Sequence, residues 1–288
     1  MYNNKIGVMV DSFKLGIKDG IKKAAEIGAN GLQIYAVSGE MMPEKINKEK
    51  RRELLNFIKS KDLVVSALCG DLGGHGFSIK ENNPEKIKKS KEIIDLAVDL
   101  ETKVVTTHIG VIPSDPEHDR YKVLQNACEE LGEYAATKDR YFAIETGPEK
   151  TEVLRKFLES LNTDNIKVNY DPANLVMVTG EDPVKGVYNL EDYIIHTHAK
   201  DGIRKKAVAP ENIYNKLANE NVTEEELFRY FVETPLGSGD VDFEKYLNAL
   251  KDIGYQGFLT IEREVGENPV QDISQAVKFL RNINQNIN

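Results

Sequence analysis

Eight short apolar runs, each five or six residues long, alternate with longer charged segments along the chain. The runs are 5–10, 31–36, 63–68, 104–108, 142–146, 167–171, 194–198 and 258–262. They are rich in Val, Ile, Phe and Thr, residues that suit extended strands. Between most of them lie segments 48–61, 84–100, 118–138, 151–161, 243–253 and 270–283, in which apolar residues recur three and four positions apart. That spacing predicts helices with one buried face. In the last segment Val270, Ile273, Val277 and Leu280 fall on a single helical stripe. Strands apolar throughout and joined by helices need cover on both faces, which predicts a parallel sheet. Eight such units predict closure into an α/β fold of the (β/α)8 TIM barrel type. The 288 residues fit a single domain, because such barrels run to about 250 residues before insertions.

An internal echo supports closure. EIGANGLQI at 26–34 and DIGYQGFLTI at 252–261 share the frame I-G-x-x-G before a strand, as a repeated helix-to-strand connection requires. An open doubly wound sheet is the competing fold, but its G-x-G-x-x-G fingerprint is missing, since Val10 runs into Asp11, Ser12 and Phe13. One stretch breaks the rhythm, an insertion at about 203–240 after the seventh strand. It contains a polar run at 207–220, a helix expected at 224–231 and the glycine-rich LGSGDVDF. In a barrel it lies on the C-terminal face, where a long loop can act as a lid or substrate clamp.

Charge narrows the partners. The chain carries 38 basic and 47 acidic side chains, a net charge of −9, with a pI near 5.3. Nucleic acid binding, which draws on clustered Lys and Arg, is therefore not expected. No segment approaches the ~18 unbroken apolar residues of a membrane span, and the apolar run 6–10 is too short for a signal-peptide core. A cytoplasmic protein without membrane contact is expected. Cys69 and Cys128 are the only cysteines, which excludes a disulfide framework.

Four strand candidates carry a metal-type side chain near their C-terminal ends: Glu145 in AIETG, Asp171 in VNYDPAN, His198 in IIHTHAKD and Glu262 in LTIERE. A lone polar residue at a strand end commonly caps a helix or pairs with a Lys. Four together are different, because all strand ends of a parallel barrel converge on one face. Three carboxylates and one imidazole suit one divalent metal ion, Mn²⁺ first, with Mg²⁺, Co²⁺ or Zn²⁺ also compatible.

The pieces AIETG, NYDPANL, HTHAKD and LGSGDVDFEKYLNALKDIGYQGFLTIERE, in that order, make the chain resemble the xylose isomerase-like TIM barrel superfamily, which contains sugar phosphate isomerases and epimerases. By this resemblance Glu145, Asp171, His198 and Glu262 hold the metal, and Glu145 and Glu262 double as the catalytic acid/base pair. The implied activity is isomerisation or epimerisation of a keto-sugar or keto-sugar phosphate through an enediolate. A metal bound to the carbonyl and neighbouring hydroxyl acidifies the carbon between them. An epimerase needs acid/base groups on both faces, whereas an aldose–ketose isomerase works with one. Inosose dehydratases of the same superfamily, and a sugar- or metal-binding barrel without turnover, are the alternatives. The superfamily's endonuclease IV type of DNA repair enzyme needs a histidine where Asn174 stands, and further ligands beyond His198 that are missing.

The same resemblance brings His75, in GDLGGHGF, and His108, in VVTTHIG, near the site, to orient the substrate or bind a second metal; the alternative for each is a strand-end histidine hydrogen-bonded to a backbone carbonyl. Asn174 is a further expected substrate contact. Lys200 and Arg204, in HAKDGIRKK, could hold a phosphate or sugar hydroxyls, and Gly237 and Gly239 could cradle an anion with their N–H groups. His196 shares a strand face with His198 but lies deeper, and is expected to pack behind it. His118 reads as an exposed helix start, Glu181 and Asp182 as another, and Tyr35 and Phe13 as wall or packing residues. The expected partner is a small-molecule sugar or sugar phosphate, and a homo-oligomer is compatible with the family resemblance.

Overall fold

The computed structural model describes residues 4–218 and 223–287. Among them eight parallel strands close into a barrel. They are β1 (Lys5–Met9), β2 (Gly31–Tyr35), β3 (Val64–Cys69), β4 (Val104–Thr107), β5 (Tyr141–Glu145), β6 (Ile166–Tyr170), β7 (Ile194–Ala199) and β10 (Phe258–Ile261). An antiparallel hairpin, β8 (Asp201–Arg204) with β9 (Phe231–Thr234), is inserted between the last two. Sequence neighbours are spatial neighbours around the ring, and β10 closes on β1 with Lys5 opposite Phe258 and Val8 opposite Ile261. The eight apolar runs coincide with these strands to within one residue at each end.

The strands bury apolar side chains such as Val8, Leu32, Leu68, Val105, Phe142, Val168 and Leu259. Helices Lys48–Lys59, Asn83–Asp99, Asp119–Thr137, Thr151–Glu159, Phe243–Asp252 and Pro269–Asn286 cover the outside, as their apolar spacing requires. Both copies of the I-G-x-x-G frame end a helix in the same way. Gly28 (φ 81°) and Gly254 (φ 72°) take the left-handed conformation, and the next N–H reaches back to the helix, Ala29 to Ala24 and Tyr255 to Leu250. Polar residues start helices where expected. The side chains of His118 and Asp182 each accept an N–H of the helix that follows, while Glu181 accepts from the N–H and hydroxyl of Thr151 at the start of a different helix.

The insertion differs from its sequence reading in three respects, the first being the hairpin of β8 with β9, where no strand was expected. The helix expected at 224–231 is only Glu224–Leu227, because Phe231 already pairs in β9. The polar run at 207–220 contains a second helix, Pro210–Ala218, while its residues 219–220 lie outside the described residues. The N–H groups of Gly237 and Gly239 do cradle an anion, but it is the protein's own. The buried Asp201 carboxylate accepts from Gly202 (2.8 Å), Gly237 (2.9 Å), Gly239 (2.9 Å) and Val241 (3.1 Å). The turn leading to helix Phe243–Asp252 is thus built around one side chain. Among the described residues no helix is long and apolar enough to cross a membrane.

Removing this acceptor leaves four N–H groups without their partner. Asp201→Ala is expected to lower unfolding free energy by about 2–4 kcal/mol, read from urea denaturation. A loss below about 0.5 kcal/mol, ordinary for a surface substitution, would show that the turn does not depend on it.

Candidate metal and substrate site

Glu145 ends β5, Asp171 follows β6, His198 lies in β7 and Glu262 follows β10. All four are buried, and one ligand atom from each lies within 4.8 Å of all the others. His198 Nδ1 stands 3.2 Å from Glu262 Oε2, 3.5 Å from Asp171 Oδ2 and 3.7 Å from Glu145 Oε1. Both His198 Nδ1 and Asp171 Oδ2 are buried without a hydrogen-bond partner. Two unpartnered atoms facing each other inside a ring of acids fit a bound cation, since buried polar atoms otherwise find partners.

Each of the four side chains is held by its remaining atoms. Asp171 Oδ1 accepts from Ala173 N (2.8 Å) and Asn174 N (2.9 Å), which leaves Oδ2 for the ring. His198 Nε2 contacts Gln33 Oε1 at 2.9 Å, and Gln33 Nε2 donates to Thr106 Oγ1. Nε2 also lies 3.2 Å from Asn169 Nδ2; a carbonyl oxygen only accepts, so an Nε2–H directed at Gln33 leaves Nδ1 as the atom facing the ring, free to ligate a cation once it gives up its own proton. Glu145 accepts from Asn169 Nδ2 (3.0 Å) and Asn174 Nδ2 (2.9 Å). Asn169 Oδ1 also meets His196 Nδ1 at 2.8 Å, and His196 Nε2 meets Thr260 Oγ1 at 3.0 Å. His196 therefore packs below the ring, and burial together with the neighbouring His198 holds its pKa well below the ordinary value.

The charges are strongly coupled. Burial raises the pKa of Glu145 to about 7 despite the opposing pull of His108 and His198. Burial also disfavours the charged forms of Glu262 and His198. Their mutual attraction outweighs it, helped by Lys200 for Glu262 and by Glu145 and Asp171 for His198. Glu262 is held below the usual carboxylate range and His198 well above the usual imidazole range. Lys200 is buried, 3.0 Å from Glu262 Oε2 and 2.6 Å from Glu264 Oε2. Glu233 stands 3.9 Å from the same ammonium and binds Arg263 Nη1 at 2.6 Å.

An inner cavity of about 230 Å³ opens onto Glu145, Glu262, Asn174, His108, Lys200 and Tyr35. His108 is aimed by Asp71, with Nδ1 3.1 Å from Asp71 Oδ2 and Nε2 3.6 Å from Glu145 Oε1. Burial favours its neutral form, but these two carboxylates raise its pKa to about 10. From the insertion, Ile213, Tyr214, Leu227, Phe228 and Phe231 form much of the apolar wall. His75 lines an adjoining outer cavity rather than this one, Phe13 is packed in the core, and Arg204 lies against Gly180 outside both cavities. Sequence reasoning missed Gln33, Asn169, Asp71, Tyr214, Glu233 and Glu264. Gln33 and Asn169 did leave a signal, since each is an amide inside a strand, Gln33 in the otherwise apolar GLQIY and Asn169 two residues after Lys167 in IKVNY.

The family model of the xylose isomerase-like TIM barrel matches residues 21–283. An inosose dehydratase of Clostridium botulinum is 28% identical over 164 residues, 56% of this chain and 52% of that protein. The chain thus spans about half the length of that relative. Among solved structures, the xylose isomerase domain protein from Planctomyces limnophilus is 25% identical with a TM-score of 0.81, over 99% of this chain and 98% of that one. A D-tagatose 3-epimerase-like protein is 18% identical with a TM-score of 0.73, over 99% and 100% of the two chains. At that identity the likeness is one of fold.

If the ring holds a cation, Mn²⁺ at a hundred-fold excess over its Kd stabilises the wild-type fold by about 2.7 kcal/mol, seen as a concentration-dependent rise in Tm. Asp171→Asn and His198→Ala are expected to lose most of that rise and most of the bound metal measured by elemental analysis. Undiminished metal content in both variants would sink the site.

Proposed function

The chain belongs to the xylose isomerase-like TIM barrel family, and from that premise we propose that it is a divalent-metal-dependent isomerase or epimerase of a keto-sugar or keto-sugar phosphate, acting through an enediolate. The observation that carries this reading is the ring itself. It joins two glutamates, from strands three positions apart around the barrel, with an aspartate and an imidazole that each present an unpartnered atom.

Glu145, Asp171, His198 and Glu262 would hold the cation, for which Mn²⁺ is the first choice and Mg²⁺, Co²⁺ or Zn²⁺ also suit the donors. When bound, the cation supplies Lewis acidity at the carbonyl and its neighbouring hydroxyl. The protein's own groups do the rest. Glu262, held by Lys200, and Glu145, held by Asn169 and Asn174, are the two groups able to take or return a proton beside the carbonyl. His108, aimed by Asp71, can donate to a substrate oxygen from the cavity wall. Leu227, Phe228 and Phe231 line the same cavity and would limit the water reaching the reacting carbons.

A second reading, an inosose dehydratase-type lyase, draws support from the relative that bears that name. It begins with the same proton removal and differs in sending the acid's proton to a leaving hydroxyl. A binding-only barrel is the third, although binding alone needs no pair of candidate bases.

Proton NMR in D₂O separates them. The protein is stripped of metal, reloaded with Mn²⁺ and incubated with ketoses, ketose phosphates and inososes, then quenched and freed of the paramagnetic ion before recording. Deuterium is expected beside the carbonyl with a sugar product. An unsaturated product would favour the lyase, and no exchange with metal bound would overturn the enzyme reading. Glu145→Gln and Glu262→Gln are each expected to lower turnover by about 10²–10⁴-fold while the circular dichroism melt stays cooperative. Retained turnover in both would remove the glutamates from the chemistry.

A further inference from the structure

The groups that sequence reasoning offered to a phosphate are engaged elsewhere. Lys200 is buried among Glu262, Glu264 and Glu233, so its charge is already balanced. Arg204 stands outside the cavities, and the N–H groups of Gly237 and Gly239 are given to Asp201. The inner cavity is lined by five carboxylates, those of Asp71, Glu145, Glu233, Glu262 and Glu264, against the basic groups of Lys200 and His108. A divalent ion in the ring would be neutralised by its own ligands. A phosphate dianion entering here loses its hydration and meets no uncompensated cation.

The cleft continues past the ring. An outer cavity of about 270 Å³ shares Asp71, His108, Tyr214 and Glu264 with the inner one of about 230 Å³. Either volume alone falls below the roughly 300–1,000 Å³ of small-molecule sites, and the two together fall within it. The wall of the outer cavity is stiff. The loops after β3 and β4 touch so closely that a Cβ on Gly76 would lie 2.1 Å from the carbonyl carbon of Ile109, and the N–H of Phe77 donates to Ile109 O at 2.8 Å. His75, Ser78 and Arg120 line this cavity, and Arg120 Nε is buried without a hydrogen-bond partner. Glu211, Glu264 and Asp71 set three carboxylates in the same space. Donors interspersed with acceptors, without a surplus of positive charge, suit hydroxyl groups rather than anions. Tyr214 borders both cavities from the inserted helix, its ring 6.0 Å from that of His108.

We infer that the substrate is an uncharged, two-part polyhydroxylated ketone. Its reacting end lies over the ring, and a second, glycosyl-sized polyol reaches the outer cavity between His75, Arg120 and Glu211, with Tyr214 at the junction. The inference rests on the reading of the ring as an enediolate-forming metal site.

The test uses the full chain loaded with Mn²⁺ and three matched ketoses: unsubstituted, glycosylated at a carbon remote from the carbonyl, and phosphorylated at that same carbon. Deuterium wash-in is expected to be fastest, by kcat/KM, for the glycosylated ketose and slowest for the phosphate. His75→Ala and Arg120→Gln are each expected to cost about ten-fold more on the glycosylated than on the unsubstituted ketose, about the weight of one hydrogen bond. The unsubstituted ketose also reports on whether the variants fold. Preference for the phosphate, or equal losses on both neutral ketoses, would overturn the inference while leaving the enediolate reading intact. If no ketose exchanges, that reading fails instead. Calorimetric titration of the Mg²⁺-loaded protein then decides the outer cavity, with weaker binding of the glycosylated ketose by both variants supporting it and unchanged binding overturning it.

Discussion

Three carboxylates buried within a few ångströms of one another repel, and much of the architecture around the barrel mouth answers that repulsion. Without a metal, the charges facing them include the His198 imidazolium and, beside Glu145, that of His108. Lys200 meets Glu262 from outside the ring, and the amides of Asn169 and Asn174 turn N–H groups toward Glu145. Removing a single member would leave a buried charge uncompensated, which costs more than the pair contributes when intact. The same arrangement readies the ring for a cation, since a dication replaces a proton without rebuilding the supports.

Those supports reach deep into the barrel. Gln33 joins His198 to Thr106, and Asn169 joins Glu145 to His196, which ends on Thr260. A barrel interior is usually filled by branched apolar side chains. Here one layer is polar and closely hydrogen-bonded, so ligand orientation is set by side chains from β2, β4, β6, β7 and β10 together. The apolar layers outside the strands supply the burial that makes this polar layer tolerable.

The strand ends were legible because the signal is local: an ionisable residue closing an apolar run stands out in any parallel barrel. The eight runs themselves were legible for the same reason. Gln33 was not, although its polarity inside β2 was visible, because its partner is 165 residues away and only closure of the ring brings them together. Lys200 could be placed at the mouth but not assigned a partner, since Glu233 and Glu264 reach it from separate turns of chain. The hairpin escaped notice because β8 and β9 are four residues each and separated by helices, too short for alternation to show. Arg204, basic and close to a ligand in sequence, was led away from the cleft by that hairpin.

Asp201 and Thr234 face each other at the base of the hairpin, so the chain leaves the barrel and returns to it at nearly one place. Among the described residues between them, Glu211, Ile213, Tyr214, Leu227 and Phe228 line the mouth, and none of the four ring residues comes from this segment. The segment is in effect a cassette, anchored at its neck by the Asp201 clamp. Apart from Glu233, which binds Arg263 and faces Lys200, its residues can drift, lengthen or be exchanged with little demand on the barrel beneath. A lineage can thus retune what the pocket admits while the ring of ionisable groups below stays unchanged.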